Sequence, residues 1–209
     1  INPIVINQHP DIQFWISVSG VDDKENFLYL YEENLKIHGV PDDTVAILSH
    51  ELEQGYRISH AGKSFSTYLA ATKNLRRDPW LDRFNNGRKT TEADYAAYQK
   101  GFRKEAFDSV SGLQIYVEDF AALLSNIHCP VLALFGEKDK NVDWRKTKKL
   151  YERTMGEKTN LQIQSFPDGN HNLFKCKTGG FYEFEDDGLP YHRCDGFLDV
   201  ITNWLNALE

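Results

Sequence analysis

The sequence predicts an α/β fold: a parallel sheet with crossover helices, interrupted by a large helical insertion. Three observations carry that expectation. Apolar runs at residues 12–18, 130–136 and 160–167 close at Gly20, Gly136 and Pro167, as short buried strands do. Segments of helical period follow the second and third runs. The connections in that later half are short, and strand alternating with helix builds a parallel sheet.

The elements follow in order. Residues 1–10, INPIVINQHP, read as the end of a helix closed by Pro10. In DIQFWISVSG (11–20), Ile12, Phe14, Trp15, Ile16 and Val18 form a nearly continuous apolar run, the pattern of a strand buried on both faces. Residues 22–127 show little strand signal. Residues 25–39 read as a helix stopped by Gly39, and residues 41–58 as a helix with Asp42 or Asp43 as N-cap. A helical stretch over 64–75 ends near the break at Asp78 to Trp80. Residues 91–107 open with Thr91 and Asp94 in the spacing of a capping box, and 115–127 close the helical region. Then come the strand PVLALFG, the helix WRKTKKLYERTM, the strand NLQIQSFP, the loop DGNHNLF, and a last helix, GFLDVITNWLNALE. The expected organisation is 1–21 as core helix and strand, 22–127 as helical insertion, and 128–209 as core strands and helices. No repeat or low-complexity tract interrupts it.

Bulk properties exclude some classes. The 209 residues suffice for one domain with a real core plus an insertion. With 24 Lys and Arg against 31 Asp and Glu, the formal charge is −7 and no basic face clusters, so nucleic acid is not an expected partner. No apolar run approaches the roughly 18 residues of a membrane span, so no membrane partner is expected either. The three cysteines, Cys129, Cys176 and Cys194, do not fix a compartment. Cys129 reads as a small buried apolar residue, while Cys176 and Cys194 bracket a loop in which a disulfide is compatible with export.

Several strings fail on counting. His50-Glu51 would need a second histidine at 54 to hold zinc on a helix, and Gln54 stands there. Gly62-Lys63-Ser64 would need a glycine at 57 to form a phosphate loop, and Arg57 stands there. SVSGV lacks the first glycine of a G-x-S-x-G elbow, so Ser17 and Ser19 read as strand-end residues. His192, Cys194 and Cys176 lack the paired spacing of a metal site, and neither metal nor cofactor is expected.

Asp139 and His171 survive. Each lies just past the carboxyl end of an expected parallel strand, where sites form in open α/β sheets. A carboxylate there can accept a hydrogen bond from an imidazole, fix its tautomer and stabilise the imidazolium when the ring takes a proton. His171 follows Asp139 by 32 residues, which fits one strand end, one crossover helix and one further strand. Taken singly, either residue is ordinary turn or loop chemistry; the order and placement of both favour a functional pair.

CPVLALFGEKDKNVD (129–143) and PDGNHNLF (167–174) resemble the acid and histidine segments of the α/β-hydrolase superfamily. Residues 1–20 are similar to the segment that follows the nucleophile elbow in those proteins. The resemblance implies the carboxyl-terminal part of an α/β-hydrolase fold, with the central helices as a cap domain. By it Asp139 is the triad acid, with Asp143 as second choice, and His171 is the general base. It further implies a serine hydrolase acting on an ester, thioester or amide, with a small acyl substrate. Trp80, Phe84, Tyr95, Tyr98 and Phe102 are candidate substrate-binding aromatics of the cap, although packing of the cap onto the core is the better reading of each, and Trp144, which follows the acid turn, is a further substrate-binding candidate. No elbow is found in 1–209, so the expectation is a processed or truncated chain, inactive alone, with the nucleophile upstream of Ile1. The strand at 11–20 would then expose an unpaired edge, to be covered by the missing upstream half or by self-association. The other class kept open is a non-catalytic ligand- or protein-binding module; Ser, Cys or Asp at the elbow means enzyme, Gly or Ala means binder.

Overall fold

The structure, a computed structural model, describes residues 2–21, 27–84, 91–101, 107–108, 113–114, 119–156 and 161–208. The chain divides into two units, residues 1–23 with 119–209, and residues 24–118. The first unit opens with helix α1 (Asn2–Gln8) and strand β1 (Trp15–Val18). The second holds α2 (Phe27–Ile37), α3 (Asp42–His60), α4 (Phe65–Ala71), α5 (Pro79–Phe84), α6 (Glu92–Gly101) and the short strands β2 (Phe107–Asp108) and β3 (Leu113–Gln114). The chain returns to the first unit with α7 (Phe120–Ser125), β4 (Val131–Gly136), α8 (Trp144–Met155), β5 (Leu161–Phe166), α9 (Glu183–Asp187) and α10 (Phe197–Asn206).

β4 is the centre of the first unit. It lies between β1 and β5 and runs parallel to both, with Trp15 opposite Val131 and Gly136 opposite Phe166. All six of its residues are buried. Side chains alternate between the faces of a strand, and the packing follows that rule. Leu132 and Leu134 join Phe166, Leu173, Cys194 and Trp204 in a core cluster beneath α10. Phe135 points the other way, toward Trp144 and Tyr151 of α8. α8 earns its place through a stripe at helical spacing: Thr147, Leu150, Tyr151, Thr154 and Met155 are all buried. Asp143 caps its first turn by accepting from the Arg145 N–H at 3.2 Å. The result is helix, sheet and helix in three layers, the architecture the apolar runs predicted.

β1 departs from the expectation of burial on both faces. Phe14 is 40% exposed and Val18 45% exposed. The reason is position: β1 is an outer strand among the described residues, paired to β4 alone. Its buried face packs on α8, where the Trp15 and Tyr151 rings lie 5.5 Å apart and the Ser17 and Tyr151 hydroxyls 3.0 Å apart. The Phe14 ring lies edge-on to Trp204, with centroids 5.8 Å apart.

The helical unit ends at residue 118, short of the expected 127, because α7 is packed into the sheet unit. Leu124 and Ile127 are fully buried there, and the Leu123 carbonyl accepts from the Asn7 side chain of α1. Within the helical unit Tyr31, Leu35, Val45, Leu48, Leu52, Leu75 and Leu81 form the core. The capping box of α6 forms as its spacing predicts, Asp94 N–H donating to the Thr91 hydroxyl and Thr91 N–H to the Asp94 carboxylate. α3 corrects a detail. Its N-cap is Pro41, and Asp42 and Asp43 occupy the first turn, where their charge favours the helix dipole. The β2–β3 pair is also unforeseen, two residues a side being too short to leave a sequence period.

Candidate active site

The carboxyl end of β4 delivers Asp139 through a turn that only glycine permits at its start. A Cβ on Gly136 would collide with the carbonyls of Gly169 and Asn170. Without one, the two loops lock together: Glu137 N–H donates to Phe166 O at 2.9 Å, and Lys138 N–H to Gly169 O at 3.0 Å. Asp139 N–H then turns back on Gly136 O. The Asp139 carboxylate is fully enclosed. Its Oδ1 accepts from the N–H groups of Asn141 and Val142, at 2.8 and 3.1 Å, which sets the plane of the carboxylate.

Oδ2 of Asp139 lies 2.9 Å from Nδ1 of His171. The carboxylate is an acceptor, so Nδ1 carries a proton, and in the neutral ring Nε2 is the nitrogen with the lone pair. His171 is 30% exposed at its side chain, so that the ring is anchored at one edge and reachable at the other. Asp143, the second choice for the acid, is instead the cap of α8.

The histidine loop is held by groups the sequence reading passed over. The Asn170 carboxamide oxygen accepts from Asn172 N–H at 2.9 Å and Phe174 N–H at 3.0 Å. This is an Asx-type turn, and an Asn in a Gly/Asn loop was its available signal. Leu173 takes a left-handed backbone, φ 55, and sinks into the core beneath the sheet. Arg193 stacks on Phe174 and donates to the Asn172 carbonyl. A cation over an aromatic ring with a carbonyl beyond it fixes the loop from outside.

The remaining sequence candidates are dispersed. Trp144 is buried under the acid turn; its indole N–H donates to Glu137 O at 3.2 Å and its ring lies against Phe135. Trp80 belongs to the helical unit, half-buried on that unit's core, with the His38 ring 3.9 Å away and Arg83 over its face. Phe84 ends α5, and its side chain lies outside the described residues. Tyr95 is buried and stacked on Tyr68, its hydroxyl donating to Lys63 O. Burial pushes the Tyr98 hydroxyl well up in pKa, and Phe102 lies outside the described residues.

Cys129, Cys176 and Cys194 are free thiols. Burial, with the Glu183 charge next, pushes the Cys176 thiol up to about 12. Among the described residues no group of three His, Cys, Asp or Glu side chains is arranged to hold a metal. Ser19 closes β1 in a left-handed backbone, φ 47, with its hydroxyl buried and, among the described residues, without a hydrogen-bond partner, His171 included.

The family model of the dienelactone hydrolases matches residues 115–200, a span that contains both Asp139 and His171. That family is a branch of the α/β-hydrolases. The match covers less than half of the chain and supports a relationship to the α/β-hydrolase superfamily. No curated protein matches the chain. That relationship accords with the parallel order β1-β4-β5, and the family match supports a hydrolase with esters as the general substrate class.

Proposed function

We propose that this chain is part of an α/β-hydrolase and supplies the acid and base of a Ser-His-Asp ester hydrolase. The observation that carries the reading is the 2.9 Å contact between the enclosed Asp139 carboxylate and Nδ1 of the partly exposed His171. The nucleophile comes from residues outside 1–209. What supports this is that the serine best placed at a strand end, Ser19, has a buried hydroxyl with no bond to the base.

In this mechanism the serine Oγ attacks the ester carbonyl carbon while its proton passes to Nε2 of His171. Asp139 holds the resulting imidazolium by its Nδ1–H. His171 then returns the proton to the leaving alkoxide, and the acyl-enzyme forms. Water attacks next, gives its proton to Nε2, and the acid product departs as the serine is restored. Donors aimed at the oxyanion also come from outside the described residues. In this reading the edge of β1 that is unpaired among the described residues pairs with the segment that brings the nucleophile.

The test compares two preparations on a simple ester. Residues 1–209 alone are expected to be inactive. The protein that includes the upstream segment is expected to turn over and to lose activity on His171→Ala. Because base and nucleophile act as a unit, that loss should approach removal of the whole triad, several orders of magnitude. Turnover by residues 1–209 that Ser19→Ala abolishes would overturn the external nucleophile. An upstream segment with Gly or Ala at the elbow, and no turnover, would favour a binding module instead.

A further inference from the structure

We infer that Glu183 is a positioning residue for the Asp139–His171 pair, acting through the backbone of residues 177–179 and the Lys138 peptide. The inference rests on the proposed role of that pair.

Four acids stand together at α9, namely Glu183, Glu185, Asp186 and Asp187, and only Glu183 is buried. Its carboxylate is wrapped by the chain that precedes it. Oε1 accepts from the N–H groups of Lys177 and Thr178. Oε2 accepts from Thr178 N–H at 3.0 Å, the Thr178 hydroxyl at 2.7 Å and Gly179 N–H at 2.7 Å. Successive backbone N–H groups converging on one anion form a nest, and a buried carboxylate so bonded is a rigid joint.

That joint presses on the acid loop. Gly179 has φ 82, and a Cβ there would collide with the Lys138 carbonyl oxygen, so the two backbones are in direct contact. One residue on from Lys138 is Asp139. Lys138 is held from the same segment a second time, its Nζ donating to Cys176 O at 3.1 Å and to Asp168 at 2.9 Å. The same short helix also braces the histidine loop. Phe184 packs against Phe174 at 6.0 Å, and Phe174 N–H is one of the two donors that fix Asn170 beside His171. Thus α9 touches the acid loop through Glu183 and the histidine loop through Phe184. A shift of the 177–179 backbone would move the Lys138 peptide, and a hydrogen bond of 2.9 Å tolerates little displacement before it weakens.

The test reads the His171 Nδ1–H proton by NMR in protein labelled with ¹⁵N-histidine. The wild type should show a downfield Nδ1–H resonance that Asp139→Asn abolishes. Glu183→Gln should then speed its exchange with solvent about ten-fold or more, the scale of one charge-assisted hydrogen bond lost. Thr178→Val, a mild change at an exposed position, should speed it in the same direction by a smaller factor. Asp187→Asn, which breaks only the exposed pair with Lys177, should leave it unchanged. A wild-type exchange rate in both Glu183→Gln and Thr178→Val overturns the inference and leaves the pair standing. A wild type without any Asp139-dependent Nδ1–H resonance overturns the pair itself, and the inference with it.

Discussion

Replacing Asp139 by asparagine changes one atom in a fully enclosed position, and its two consequences should differ greatly in size. The carboxamide keeps the shape, and its oxygen can still accept from Asn141 and Val142 N–H. Its nitrogen then faces His171 Nδ1. Two donors cannot share that 2.9 Å contact, so the ring must move its proton to Nε2 and accept at Nδ1. For stability, a charge-assisted bond becomes a neutral one, a loss of about 1–1.5 kcal/mol. For catalysis, the nitrogen that must receive the nucleophile's proton is already occupied. The same tautomer error in a serine-protease triad lowers kcat by about 10⁴, equivalent to about 5.5 kcal/mol of barrier. The assay therefore pairs urea unfolding with ester turnover in the protein that carries the nucleophile, and adds ¹⁵N shifts of His171 to read the tautomer. Asp143→Asn is the control, since Asn caps a helix about as well as Asp. A turnover loss smaller than about ten-fold in Asp139→Asn, or an Nδ1 that still carries its proton, would refute the reasoning.

The other predictions are structural and titrimetric. Leu134→Ala opens a cavity in the cluster of Leu132, Phe166, Leu173 and Trp204, and should cost about 2–5 kcal/mol in urea unfolding, with slope unchanged. Cys176 should react slowly with a disulfide reagent near pH 8 in the native protein, its thiol being pushed up to about 12 by burial, while all three cysteines react once unfolded. Burial alone would raise the Glu183 carboxyl, but bonds from the Thr178 hydroxyl and from three backbone N–H groups hold it below the ordinary value. Its contribution to stability is therefore fully present above the unfolded carboxyl value of about 4.3 and lost as pH falls through the lower folded one. Glu183→Gln should flatten unfolding free energy against pH in that acid window; a profile identical to wild type would contradict the burial of a charged Glu183.

The parallel order of strands and the meeting of Asp139 with His171 were legible because each has a periodic or positional signature. A run of apolar residues that stops at Gly136 can only be a buried strand ending, and an acid three residues later sits at the sheet's carboxyl edge. The groups that hold the pair in place left no comparable trace. Asn170, Arg193 and Glu183 act on backbone N–H and carbonyl groups brought together by the fold, and hydrogen bonds to backbone are indifferent to the partner's side chain. In sequence Glu183 is one acid of four, and nothing local tells the buried one from its solvated neighbours. β1 was misjudged for a related reason: apolar composition records what a strand can bury, whereas its position at the edge of the three parallel strands among the described residues decides what it does bury here.

The unequal exposure of the two partners follows from the same topology. Asp139 leaves the central strand, so it is flanked by β1 on one side and β5 on the other, and its carboxylate is sealed. His171 leaves β5, an outer strand among the described residues, and its side chain is 30% exposed. An acid meant to steer a base benefits from low dielectric, because its attraction for the imidazolium is then least screened. A base must keep one nitrogen reachable by a nucleophile and by water. Exchange of the two residues between their strand ends would invert both conditions. Asp139→His combined with His171→Asp should therefore fail to restore what either single change removes, even though the pair of groups is formally preserved; restored turnover in that double variant would mean that contact alone, and not its placement on central and outer strands, is what matters.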